Sequence, residues 1–136
     1  MARKPTALVL DSWSVIAYFE DEPAGEQVAD LIAGSHDDEI SLLMSVINLG
    51  EVWYILAREM SEEQADQCIA DLNHLRIEFV DADWKLTLAA GQIKAKHKMS
   101  YGDCFAAALA KENAATLVTG DREFKQVDGE IDVHWL

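Results

Sequence analysis

Apolar and polar positions along the chain alternate between two patterns. Thr6-Ala-Leu-Val-Leu10 is a short apolar run closed by Asp11, the pattern of a strand buried on both faces of a sheet. Helical spacing follows at once. Val15, Ile16 and Phe19, then Val28, Leu31 and Ile32 beyond Pro23, predict two short helices before a turn over Gly34-Ser-His-Asp-Asp38. Residues 39–44 predict a second strand, and Val46, Leu49, Val52, Trp53 and Leu56 give an apolar side to a helix over 45–60. Ser61, with Gln64 three residues on, opens a capping box, and Ala65, Cys68, Ile69 and Leu72 carry that helix to about His74.

The alternation continues to the end of the chain. Residues 77–80 predict a strand, Asp83 opens a helix to about Lys96, and an Ala-rich helix covers 101–112. Residues 116–119 and 131–134 predict the last strands, with about one helical turn over 122–126 between them. Parallel strands need crossovers, and a strand–helix alternation supplies them. The expected fold is therefore α/β: a three-layer α/β/α sandwich whose central parallel sheet has about five strands, in one domain spanning 1–136. In such sheets ligands gather beyond the carboxyl ends of the strands.

Composition supports a compact chain and complicates its partners. Half of the 136 residues are hydrophobic and only 7 are Gly and 2 Pro, which excludes disordered and collagen-like classes. The balance of 11 Lys and Arg against 25 Asp and Glu leaves −14, a charge that opposes phosphate binding unless metal ions or local basic patches intervene. Cys68 and Cys104 form no CxxC pair and read as reduced thiols of a cytoplasmic protein. The basic start leads into an apolar run too short for a signal peptide or a membrane span.

Four acids stand where chemistry is expected. Asp11 directly follows the first strand, and Asp121 follows the fourth across Gly120. If those strands are neighbours, both carboxylates face one crevice. Glu51, in the helix after the second strand, and Asp103, in the first turn of the helix before the fourth, can reach the same rim. Carboxylates converging on one pocket repel unless a cation neutralises them, and hard oxygen ligands suit Mg²⁺ or Mn²⁺ better than zinc. Each acid also has a plain structural role open to it: Asp103 completes the capping box Ser100-Tyr-Gly-Asp103, Asp11 and Asp121 can cap the next helical turn, and Glu51 can be a solvated surface acid.

Other features are weaker. His36, His74, His97 and His134 lack zinc-site spacing, and neither GxxxxGK[ST] nor GxGxxG occurs. Trp13, Trp53, Trp84 and Trp135 have apolar neighbours and read as core or interface packing. Lys94, Lys96, His97 and Lys98 form the one basic run, a solvated helix end that is also placed to hold a phosphate backbone beside the acids.

Four stretches carry a family resemblance: Leu8-Val-Leu-Asp11-Ser-Trp-Ser14-Val-Ile, Ser45-Val-Ile-Asn-Leu-Gly-Glu51, Met99-Ser-Tyr-Gly-Asp103-Cys-Phe-Ala-Ala-Ala and Thr116-Leu-Val-Thr-Gly-Asp121-Arg-Glu-Phe124. In this order and spacing the chain, over residues 8 to about 133, resembles PIN-domain proteins of the VapC type, the toxin ribonucleases of toxin–antitoxin modules. The resemblance implies an Mg²⁺- or Mn²⁺-dependent endoribonuclease that cleaves an RNA phosphodiester with metal-activated water. Asp11, Glu51, Asp103 and Asp121 match the family's acidic positions, and Ser12 and Thr119 its accessory polar ones. It also implies a homodimer and a VapB-type antitoxin that places a cationic side chain in the acidic site. Asn48 departs from the Ser or Thr common in the family, and Gly50 is an unusual helix residue beside Glu51. The rival expectation is a non-enzymatic PIN-like module that binds a protein partner and uses the acids as helix caps.

Overall fold

A computed structural model of the chain describes residues 5–136; the basic residues at the start, 1–4, lie outside them. In chain order the elements are β1 (Ala7–Leu10), α1 (Ser12–Phe19), α2 (Pro23–Asp37), β2 (Ser41–Ser45), α3 (Val46–Glu59) and α4 (Glu62–His74). They continue with β3 (Ile77–Val80), α5 (Trp84–Lys96), α6 (Tyr101–Glu112), β4 (Thr116–Thr119), a 3-10 segment over Arg122–Val127 and β5 (Asp132–Trp135). The strands form one parallel sheet in the order β3-β2-β1-β4-β5. The expected α/β/α sandwich is the fold observed.

The pleat of the central strands decides the layers. Val9, Leu43 and Leu117 face a core with α5, α6 and the 3-10 segment, whereas Leu8, Leu10, Leu42, Met44 and Val118 face one with α1 to α4. Both faces are covered, so these strands read as continuous apolar runs. In α6 every residue from Asp103 to Ala110 is buried, and four of them are Ala. Small side chains let this helix lie close on the sheet, and its N-terminal turn reaches the carboxyl edge near β1.

One expectation fails. The turn predicted over 34–38 is helical, because α2 runs on to Asp37 and Gly34 is an ordinary helix residue with open space where a Cβ would project. Glu39 makes the reversal instead, with φ of 56° in the left-handed region. The second and fifth strands accordingly start later than the pattern suggested. Both cysteines are free, Cys104 in the core. Among the described residues no helix is long and apolar enough to cross a membrane.

Candidate active site

Strands β1 and β4 are neighbours, with Leu10 opposite Val118, so Asp11 and Thr119 emerge side by side at the carboxyl edge. Asp11 is fully buried and caps α1, its Oδ1 accepting the Ser14 N–H at 2.8 Å. Its other oxygen accepts the Thr119 hydroxyl at 2.5 Å, and that hydroxyl oxygen accepts the Asp121 N–H at 3.0 Å. Two strand ends are thereby tied together through one side chain. Asp121 in turn caps the 3-10 segment by accepting the Glu123 N–H at 2.9 Å.

The fate of the Ser100 capping box explains Asp103. Ser100 Oγ accepts the Asp103 N–H at 3.3 Å, as a box requires. The return bond goes elsewhere: the Ser100 N–H donates to the Glu123 carboxylate. The Asp103 side chain, relieved of that duty, shares a hydrogen bond with Asp121. Carboxylate oxygens of Asp103, Asp121 and Glu123 lie within 4.8 Å of one another.

This crowding is visible in the proton affinities. Burial, reinforced by the charges of Asp121, Asp11 and Glu123, pushes the Asp103 carboxyl up to about 8. Burial also raises Asp11 to about 6, against the bonds from Thr119 and Ser14 that favour its anion. Among the described residues no Lys or Arg forms an ion pair with any of these acids. A set of closely spaced carboxylate oxygens without a protein cation has the donor chemistry of a hard divalent ion.

Glu51 stands beside this group and outside the closely spaced trio. Its Oε1 accepts from Asn48 Nδ2 at 2.8 Å, and the same amide donates to the Gly102 carbonyl at 2.9 Å. A Cβ on Gly102 would lie 2.5 Å from Glu51 Oε2, so the missing side chain makes the space in which this carboxylate rests. Asn48 is wholly buried and its Oδ1 has no protein partner. Ser12 is half-buried and lines a cavity with Asp121.

The basic run divides. Lys94 Nζ is engaged with the Met99 carbonyl at 2.6 Å, which braces the loop leading into α6. Lys96 lines a separate cavity with His97 and Lys111. Lys98 is exposed on the loop before Ser100, its backbone N–H bonded to Gln126.

Sequence reasoning missed Glu123, whose signal was its place two residues after Asp121, and gave no role to Asn48, one helical turn before Glu51. Of the tryptophans read as core or interface packing, Trp13 is 36% and Trp84 71% exposed, so these two are not core. Trp13 lies across Gly120, where a Cβ would come within 2.3 Å of its ring.

The PIN-domain family model matches residues 8–130, and the chain belongs to the PIN-domain family. The fold is similar to that of VapBC2 from Rickettsia felis bound to a DNA fragment from their promoter, with TM-score 0.77, 20% identity, and 94% of this chain and 97% of that chain covered. DNA-bound VapBC from Salmonella typhimurium gives TM-score 0.76 at 18% identity, covering 94% and 96%. VapC20 from Mycobacterium tuberculosis, described as a Sarcin-Ricin loop cleaving toxin, gives 0.72 at 17%, covering 88% and 94%. No curated protein matches the chain by sequence.

Proposed function

We propose that the chain is a Mg²⁺- or Mn²⁺-dependent endoribonuclease of the VapC type, the toxin of a toxin–antitoxin pair, acting in the cytoplasm. The observation that carries this reading is the acid cluster at the carboxyl ends of β1 and β4: Asp103, Asp121 and Glu123 within 4.8 Å, with Asp11 behind them and no cation paired among the described residues. The same carboxylates that repel one another in the free protein are ligands for a divalent ion. A bound Mg²⁺ or Mn²⁺ supplies activated water and stabilises charge on the phosphoryl oxygens.

The chain's own groups then divide the work. Asp103, Asp121 and Glu123 hold the ion. Asp11 adds charge from the buried floor, oriented by Thr119 and the Ser14 N–H. Glu51, held by Asn48, faces the opening beside Gly102. Ser12 offers a hydroxyl at the rim, and Lys98 remains the member of the basic run free to meet the RNA backbone. A VapB-type antitoxin and a second copy of the chain complete the proposed assembly. A strongly basic antitoxin or a small structured RNA suits the −14 charge better than promiscuous cleavage does.

The non-enzymatic module accounts for Asp11 and Asp121 as caps, yet leaves the Asp103 carboxylate without a role. Incubating the protein and its Asp11→Asn variant with total cellular RNA, with Mg²⁺ or Mn²⁺ and with chelator, separates the two readings. Discrete new RNA ends that need both the ion and Asp11 support the nuclease. Ends equally present in the variant, or calorimetry without Mn²⁺ heat, overturn it.

A further inference from the structure

A cavity of about 300 Å³ opens between α1 and α3 beside the acid cluster. Trp13, Ile16 and Ala17 line it from one stripe of α1, Ile55 closes it from α3, and Asp121 belongs to both cavity and cluster. Trp13 is the second residue of α1, two residues after Asp11, and its ring is wedged on Gly120, the residue before Asp121. A side chain at 120 would displace it. The ring is therefore fixed in place and yet 36% exposed, an aromatic wall of the cavity that a ligand can reach.

The other ionisable residues lining this cavity are Glu20 and Glu22. With Asp121 they make every ionisable group of the lining an acid, so a phosphate is repelled from it. A nucleobase is flat and uncharged and is the part of a nucleotide that an aromatic wall between acids accepts. Base–aromatic stacking is tolerant of sequence and needs no cation.

We propose that Trp13 is a stacking platform for one base of the RNA strand whose phosphodiester lies at the acid cluster. The proposal rests on the ribonuclease reading and deepens it, giving the enzyme a handle on single-stranded substrate that its charge otherwise denies.

The test uses Trp13→Leu, which keeps apolar bulk against Gly120 without a flat face, and Trp13→Phe, which keeps the face; thermal melting checks that both fold. Hexameric oligo(A) and a hexamer of abasic riboses are the probes, with Mn²⁺. Trp13→Leu should raise KM for oligo(A) roughly tenfold or more, with the loss falling on KM rather than kcat, while Trp13→Phe stays within about threefold. On the Asp11→Asn background, which keeps the strand whole, oligo(A) should quench a tryptophan signal that Trp13→Leu lacks, and the abasic hexamer should not.

An unchanged KM in Trp13→Leu, in a protein that cleaves, overturns the platform and leaves the nuclease standing. Quenching that depends on Trp13 supports the platform whether or not the parent protein cleaves this strand, and total cellular RNA decides the nuclease separately. Absence of quenching by oligo(A) overturns the platform. If Trp13→Leu loses a hexa-arginine peptide but binds oligo(A) as before, the cavity belongs to a cationic peptide and the platform is overturned.

Discussion

Acids at two places on this molecule are treated in opposite ways. At the corner where α5, α6 and the loop before β5 converge, Glu130 bonds His97 Nε2 at 3.0 Å and lies 4.0 Å from Lys111, all three in reach of water. At the carboxyl edge of the sheet, Asp11, Asp103, Asp121 and Glu123 meet one another instead, held by backbone N–H groups and the Thr119 hydroxyl. The corner is a solvated ion pair that the fold could lose. The edge is a concentration of like charge that folding must overcome, a cost that the proposed divalent ion would offset.

The sharpest way to break this contrast is to remove one charge from the edge. Outer-shell partners of a metal site cost roughly 10–100-fold in affinity or activity when mutated, so a ligand itself should cost at least about 100-fold. Asp103→Asn is expected to abolish Mn²⁺-dependent RNA cleavage to that extent while the protein folds as well or better, because crowding is relieved. Cleavage within tenfold of the parent, measured on one defined oligonucleotide, would falsify the assignment of Asp103.

Proton linkage reads the same strain without RNA. Asp11 is raised from 3.8 to about 6 by burial, so between those values the folded state holds a proton that the unfolded state has released. Stability of the metal-free protein should therefore fall as pH rises through this window, by about 3 kcal/mol from Asp11 once it is fully ionised. Asp103, pushed up to about 8, extends the decline to higher pH. Mn²⁺ at pH 8 should recover stability, by about 2.7 kcal/mol at a hundred times its dissociation constant. Urea melts of the parent and Asp11→Asn at several pH values check both: between 3.8 and about 6 the decline must be shallower in the variant, where Asp103 alone still contributes, and a profile identical in the two proteins contradicts the origin assigned to it.

The contrast also marks what the sequence could and could not tell. The strands were legible because a sheet covered on both faces needs uninterrupted apolar runs, and Asp11 and Asp121 were legible because each ends such a run. Their convergence depended on β1 lying beside β4, a long-range pairing that no local pattern encodes. Glu123 was hidden for a related reason. Its bond to the Ser100 N–H spans 23 residues, and this contact, rather than the box written in Ser100 and Asp103, decides where the Asp103 carboxylate goes. Gly34 misled because glycine permits a turn without requiring one, while Glu39 took the left-handed conformation. For Trp13 only the core half of its reading fell, because its apolar neighbours in sequence pack inward while its own ring rests on Gly120.

Glu51 is the intermediate case, neighbour to the cluster but outside its closest trio. Gly102→Ala moves it without touching any acid, since the new Cβ would lie 2.5 Å from Oε2 and the flexible carboxylate must yield. If Glu51 serves the site from its place beside Asn48, cleavage should drop roughly 10-fold with the melting temperature nearly unchanged. Full activity in Gly102→Ala would remove Glu51 from the machinery and leave Asp11, Asp103, Asp121 and Glu123 to act alone.

The smallest effect is expected at the corner that serves as the foil. In Glu130→Gln the bond to His97 can persist as a neutral one, and the contact to Lys111, 58% exposed and already at 4.0 Å, contributes little in water. Loss of stability should stay under about 1 kcal/mol, shrink further as salt screens the parent's ion pair, and leave RNA cleavage untouched. Urea melts at low and high salt, read beside the cleavage assay, decide it. A salt-independent loss of several kcal/mol would mean that the corner is a structural clamp for α5 and α6, and the difference between the two acid-bearing regions would then be one of ligand binding alone.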